Sequence, residues 1–129
     1  EVRNDLGIAY RHLGRLEEAT RQHEMAFDLA VDSGERHVQA AALNDLALTL
    51  NCRGCTDEAS AVHRRALDLS TRFAHQYEQG RALLGLGDLA SVTDPDGARR
   101  CWLRALAIFE RMGVPERHEV RRRLGEGPS

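Results

Sequence analysis

A stretch of 17 residues that recurs forty residues later constrains this chain more than any other feature of its sequence. Residues 14–30 read GRLEEATRQHEMAFDLA, and residues 54–70 read GCTDEASAVHRRALDLS. Between positions 4 and 30, ten residues are identical to the residue forty positions further on, whereas unrelated sequences of ordinary composition would share about two. A third copy follows a turn that is one residue shorter, and its matching part reads ARRCWLRALAIF at residues 98–109. The chain is therefore predicted to be a repeat protein rather than an enzyme domain.

The composition is typical of a folded, soluble chain and excludes several classes of protein. A length of 129 residues leaves room for about three such repeats, and 42 % hydrophobic with 29 % charged residues argues against disorder. The net charge of −2 gives no general attraction to nucleic acid or to anionic membranes. No apolar run approaches the roughly 18 residues of a membrane span, and the sequence contains no signal peptide or lipidation motif.

Each repeat is predicted to be a pair of antiparallel helices, and glycines mark where helices end. Gly14, Gly34 and Gly54 follow apolar helical patterns and supply the positive φ of a helix C-terminus. Because the chain begins with Glu1 rather than Met, inside a helical pattern, we expect a fragment of a longer polypeptide. The predicted organisation is a single domain with repeats at about 1–34, 35–74 and 75–113, a capping helix at about 115–124 and a fraying tail at 125–129.

Small residues recur at three positions where two helices must approach each other closely. One set lies on the first helices and two sets lie on the second helices: Gly7, Ala47 and Gly87; Ala19, Ala59 and Ala98; Ala26, Ala66 and Ala105. A larger side chain at these positions would separate the helices, at a cost of about 1–3 kcal/mol.

These residues and their spacing resemble the tetratricopeptide repeat (TPR). The first copy carries the motif residues Leu6, Gly7, Tyr10, Gly14, Ala19, His23 and Ala26. The resemblance covers residues 1–113 and implies an all-α fold, a right-handed superhelix of three antiparallel helix pairs with a C-terminal capping helix. The usual period is about 34 residues, so a period of forty implies longer helices.

The longer period narrows the resemblance. The start ALNDL at residues 42–46 resembles the repeats of kinesin light chains, and the array is still more similar to C-terminal TPR arrays of actinobacterial regulators of the antibiotic-regulatory and signalling-ATPase (STAND) type. The ending GVPERHEVRRRL at residues 113–124 is similar to the closing segment of those arrays. The amino-acid composition also agrees with a bacterial source that has a GC-rich genome, because all 18 basic residues are Arg and none is Lys.

The cysteines raise the question of redox chemistry or metal binding. Cys52 and Cys55 form a C-x-x-C pair, which can be a redox pair or half of a zinc site. No second ligand pair follows at finger spacing, and the first repeat holds His12 and Arg15 at the same positions. Incidental turn cysteines are therefore the favoured interpretation, with adventitious metal or a disulfide as the alternatives. Cys101 is expected to be a packed thiol.

The histidines carry no catalytic pattern. His23 and His63 recur at the aromatic position of the second helix, and we expect packed, hydrogen-bonded core side chains there rather than ligands. The sequence contains no Gly-rich phosphate loop, nucleophile elbow or H-E-x-x-H motif. Neither an enzyme nor a cofactor is expected. Three cysteines without a secretion signal predict a reducing, cytoplasmic compartment.

Charge is unevenly distributed along the chain. Residues 1–97 contain 10 Arg and 16 acidic residues, whereas residues 98–129 contain 8 Arg and 4 acidic residues. The basic residues Arg99, Arg100, Arg104 and Arg121 to Arg123 could form an end that contacts phosphate. A solvated capping face is the favoured interpretation, because no aromatic platform accompanies these residues. Nucleic acid is therefore not an expected partner.

The TPR resemblance implies a binding function, because the first helices of such arrays line a concave groove. The residues that map to this groove are Asn4, Ile8, Arg11, Asn44, Leu48, Asn51, Arg81, Leu84 and Asp88. We expect the Asn amides to bond an extended peptide backbone and Ile8 and Leu48 to supply apolar contact. Binding of a chaperone-type C-terminal tail is not expected, because Lys is absent and Ile8 replaces the Asn of that clamp.

The expected function is that of a non-catalytic protein- or peptide-binding module, the sensor or regulatory arm of a bacterial signalling or transcriptional regulator. The alternative is a scaffold that packs on neighbouring domains or on a second copy. Weak self-association is expected through the first hairpin, whose outer flank nothing in this sequence covers.

Overall fold

The computed structural model describes residues 2–125, which form seven helices and contain no strand. The helices are α1 (Val2–His12), α2 (Leu16–Ser33), α3 (Arg36–Cys52), α4 (Thr56–Arg72), α5 (Gln76–Ala90), α6 (Pro95–Met112) and α7 (Glu116–Arg123). The first six form three antiparallel pairs stacked into a superhelix, and α7 packs against α6. The prediction of an all-α repeat fold is confirmed. The tail predicted to fray lies, apart from Gly125, outside the described residues.

The first four turns between the helices follow the glycine pattern with one exception. Gly14, Gly34 and Gly54 adopt φ values of +79°, +73° and +82°, the left-handed conformation that glycine adopts without a steric penalty. After α4 this conformation falls on Ala74, with φ of 57°, at a cost of roughly 1–2 kcal/mol. The sequence did not predict this position, because no glycine marks it.

The third pair departs from the predicted boundaries at its turn. The sequence pattern predicts that the first helix of this pair reaches Val92 and that the second begins near Gly97, whereas α5 ends at Ala90 and α6 begins at Pro95. The side chain of Asp94 caps α6 by accepting a hydrogen bond from the amide of Gly97, at 3.0 Å. Asp at the N-cap followed by Pro at the first helical position is a favoured start, which explains the earlier beginning.

All nine small residues of the recurring positions are buried. A methyl group added to Gly7 would lie 2.6 Å from Cε1 of the His23 ring, and one added to Gly87 would lie 2.5 Å from Nε1 of Trp102. The rings of the second helices therefore occupy the space that the missing side chains leave. The recurring small residues are a packing requirement, as the sequence pattern indicated.

The first hairpin is less completely covered than the second. Helix α3 lies between α2 and α4 and buries nine residues, whereas α1 packs mainly on α2 and buries only Asn4 and Gly7 among its described side chains. Leu6 is 41 % exposed, whereas Leu46, its equivalent one repeat later, is 9 % exposed. The first hairpin thus presents apolar surface that the second hairpin buries.

Candidate protein-binding groove

Two buried Asn–His pairs, one in each of the first two repeats, connect the helices that line the candidate groove to the helices packed behind them. Nδ1 of His23 lies 2.7 Å from Oδ1 of Asn4, and Nδ1 of His63 lies 2.9 Å from Oδ1 of Asn44. Because an amide oxygen only accepts hydrogen bonds, each ring donates from Nδ1. Burial lowers the pKa of both histidines to about 4, so both are neutral at pH 7. The prediction of hydrogen-bonded core histidines is confirmed.

Each asparagine also reaches into the following repeat. Nδ2 of Asn4 donates to Oδ2 of Asp45 at 2.8 Å, and Nδ2 of Asn44 donates to Oε1 of Glu78 at 3.1 Å. The same His–Asn–carboxylate connection therefore joins the first repeat to the second and the second to the third. A buried network of this kind is stable because its amide donors and acceptors have partners.

The expectation that the amides of Asn4 and Asn44 bond a peptide backbone is wrong. Asn44 is completely buried and Asn4 is 8 % exposed, and both ends of each amide are already bonded inside the protein. The physical reason is that the buried histidines need acceptors, and the asparagines supply them.

Asp45 holds two arginines from different repeats beside the groove. Its Oδ1 lies 2.7 Å from Nη2 of Arg81 and 3.7 Å from Nη1 of Arg11, whose side chains are 20 % and 15 % exposed. Arg81 also bonds Glu78 through Nη1, at 2.9 Å. Burial alone would lower the pKa of Arg81, but the carboxylates of Asp45 and Glu78 outweigh it and raise that pKa. Arg81 is thus held charged, and Asp45 holds both guanidinium groups in place.

The sequence pattern does not predict Asp45 and Glu78 as site residues. The signal for Asp45 was its recurrence, since Asp5 stands at the same position of the first repeat. Glu78 has no acidic counterpart in the second repeat, where Val38 stands, so no repeat signal pointed to it.

Four of the predicted groove residues line one cleft of ≈ 330 Å³. They are Leu48 of α3 and Arg81, Leu84 and Asp88 of α5. Helix α7 supplies the facing wall through Glu116, Glu119 and Arg123, which the sequence did not predict. The cleft combines two half-buried leucines with a rim of both charge signs.

Asp88 ties the third repeat to α7. Its Oδ1 accepts hydrogen bonds from Nε1 of Trp102 at 3.0 Å and from Nε of Arg123 at 2.9 Å. The bond to Asp88 raises the pKa of Arg123. Arg121 likewise pairs with Glu110. Two arginines of the predicted basic end are therefore neutralised locally by acidic partners.

The remaining candidates lie outside this cleft. Ile8 and Arg11 are half-buried on α1, and Asn51 is exposed in the last turn of α3. Cys52 is exposed and Cys55 is half-buried, and both are free thiols. Within residues 2–125, no group of three or more His, Cys, Asp or Glu side chains could hold a metal ion. None of the helices in that part of the chain combines the length and apolar character needed to cross a membrane.

Stacked helix pairs with small residues at their contacts define a helical-repeat scaffold. The family model described as "Tetratricopeptide repeat" matches residues 1–72, which is more than half of the sequence, and the chain belongs to this family. Tetratricopeptide repeats are non-catalytic scaffolds that generally mediate protein–protein interaction.

A solved structure shares this fold. The crystal structure of BtubC (BKLC) from P. vanneervenii is similar, with a TM-score of 0.72 at 22 % identity. The similarity covers 97 % of this chain and 56 % of that one, so this chain spans about half the length of that protein. No curated protein matches the sequence.

Proposed function

We propose that this chain is a protein- or peptide-binding module whose ligand lies in the cleft between α3, α5 and α7. The observation that carries the proposal is the arrangement of Arg81, which is held charged at the cleft by two carboxylates beside Leu48 and Leu84. A guanidinium carries five N–H donors, and its bonds to Asp45 and Glu78 leave donors available. Arg81 can therefore bond a peptide carbonyl without losing its support.

The ligand that suits this cleft is an extended peptide segment with one apolar side chain. That side chain would contact Leu48 and Leu84, while the backbone carbonyls accept from Arg81 and, one repeat away, from Arg11. These guanidinium groups take the role that the sequence suggested for the Asn amides. Since Asp45 positions both arginines, little side-chain entropy remains to be lost on binding.

The test is selection of peptides from a random library against the chain, followed by affinity measurement with two variants. Leu48→Asp places a charge in the cleft, whereas Leu103→Asp places one on α6, where Leu103 is 44 % exposed and outside the cleft. Loss of a buried leucine contact should weaken binding about tenfold or more. Equal affinity of wild type and Leu48→Asp, or an equal loss in Leu103→Asp, would contradict the proposed site.

We further propose that the module is a sensor or regulatory arm of a cytoplasmic bacterial signalling or transcriptional regulator. The support is the resemblance of residues 42–46 and 113–124 to the arrays of such regulators. The complete reading frame tests this: a nucleotide-binding or winged-helix domain upstream is expected. A frame that encodes repeats alone would contradict the regulatory role while leaving the binding role intact.

A scaffold that self-associates is a second candidate, favoured by the exposed apolar side chains of the first hairpin. Val2 is 80 % exposed and Leu6 is 41 % exposed, whereas Leu46 is 9 % exposed. Sedimentation across protein concentration should show weak association that Leu6→Glu abolishes. A strictly monomeric wild type whose α1 amides are as protected from hydrogen exchange as those of α4 would exclude this function.

A further inference from the structure

A second cleft of ≈ 410 Å³ lies where α4, the end of α5 and the start of α6 meet, and we call it the α4–α6 cleft. It shares no lining residue with the proposed peptide groove. Its floor is apolar, formed by Leu86, Leu89 and Ala90, and two carboxylates line it, those of Asp57 and Asp94.

The repeat symmetry identifies the side chain that lies at the equivalent place between the first two hairpins. There Arg53, which follows α3, donates from Nη1 to the hydroxyl of Thr20 at 3.2 Å. Ser60 stands at the position of Thr20 one repeat later. The segment that replaces Arg53, residues 91–94, reads SVTD and contains no basic residue.

The α4–α6 cleft also has smaller side chains in its walls than the equivalent place one repeat earlier. Ala90 stands where the second repeat has Leu50, and Cys101 stands where it has Val62. Each exchange removes side-chain volume from the walls. The α4–α6 cleft thus lies at a place that has an arginine and larger apolar side chains one repeat earlier.

The polar groups of the cleft favour a cation. Asp57 forms no ion pair among the described residues, and the Asp94 carboxylate bonds only the Gly97 amide there, through Oδ1. Arg64 lies at the rim and already donates to the Ser60 hydroxyl at 2.8 Å. The charged acceptors that the cleft offers to an incoming donor are therefore the two carboxylates, which outnumber the one arginine of the lining.

We propose that the α4–α6 cleft binds an arginine side chain of a partner polypeptide. The methylene stem would lie on the apolar floor, as long basic side chains do on apolar surface. The guanidinium would bond Asp57 and Asp94, since charge-assisted bonds of guanidinium to carboxylate are among the strong ones. The arginine of the partner would thus take the place that Arg53 of this chain takes one repeat earlier.

The test is titration of the ¹⁵N-labelled chain with the peptide acetyl-Ala-Arg-Ala-amide, followed by NMR. The amide signals of Thr93 and Gly97 should shift. The same peptide with citrulline, which has the shape of arginine without its charge, should bind about fivefold more weakly or worse. Absence of shifts up to about 10 mM peptide, or equal binding of the citrulline peptide, overturns the proposal.

Two variants locate the site. Thr93→Arg should place a guanidinium in the cleft and abolish binding of the peptide. Asp94→Asn keeps the helix cap, because Asn is also a good N-cap, yet removes a charge and should weaken binding about fivefold. Asp96→Asn is the matched control, since Asp96 is exposed outside the lining. Binding that Thr93→Arg and Asp94→Asn leave unchanged, or that all three variants reduce equally, refutes the assignment.

Discussion

Acidification should destabilise this protein through its two buried histidines. The pKa of His23 and His63 falls from an ordinary value of 6.5 to about 4 in the folded chain, chiefly because burial disfavours the charged ring. Asp45 opposes this shift, whereas Arg81 adds to it for both rings. Since the unfolded chain binds these protons more tightly, stability is complete above about pH 6.5 and is lost as the pH falls toward 4.

The magnitude follows from linkage between protonation and unfolding. At pH 5 each histidine removes about 2 kcal/mol relative to pH 7.5, so the pair removes about 4 kcal/mol. That is a large part of the about 5–15 kcal/mol of a typical domain. Urea unfolding followed by circular dichroism at several pH values between 7.5 and 5 measures the loss.

A double variant separates the histidines from other titrating groups. His23→Gln with His63→Gln keeps an N–H donor for each asparagine but removes both titrations. The variant starts less stable at pH 7.5, but its stability should change about 4 kcal/mol less between pH 7.5 and pH 5. An identical pH dependence in both proteins would refute the burial argument.

Three further substitutions test the packing. Ala59→Leu should destabilise by about 1–3 kcal/mol in thermal melts because Ala59 is completely buried, whereas Ala61→Leu, on the exposed face of the same helix, should be nearly neutral. Gly85→Ala would place its methyl 2.2 Å from Nε2 of His63 and should also destabilise by about 1–3 kcal/mol; the same change in a His63→Ala background should be harmless, and a loss in both backgrounds would disprove the contact. Asp45→Asn should cost about 3 kcal/mol in urea unfolding by leaving two arginines underpaired, and an unchanged midpoint would rule out this role.

The repeated part of the sequence determined the fold, because its spacing fixes where helices end and where two helices touch. Gly54 stands where only a positive φ closes the turn, and Ala59 stands where only a small side chain lets two helices touch. His63 was predictable as a core residue from its recurrence in place of an aromatic residue. These constraints are local, or they repeat, so a sequence displays them directly.

The tertiary structure alone decided which polar residues are available to a ligand. Asn44 and Arg81 both map to the groove. The amide of Asn44 is already hydrogen-bonded to His63 and Glu78, whereas Arg81 lines the cleft. Position on a helix face does not reveal this, because it depends on which acceptors a neighbouring repeat brings within about 3 Å. The position of α7 at the groove is likewise decided by a contact between distant residues. The bond between Arg123 and Asp88 joins residues 35 positions apart, and the sequence pattern does not display it.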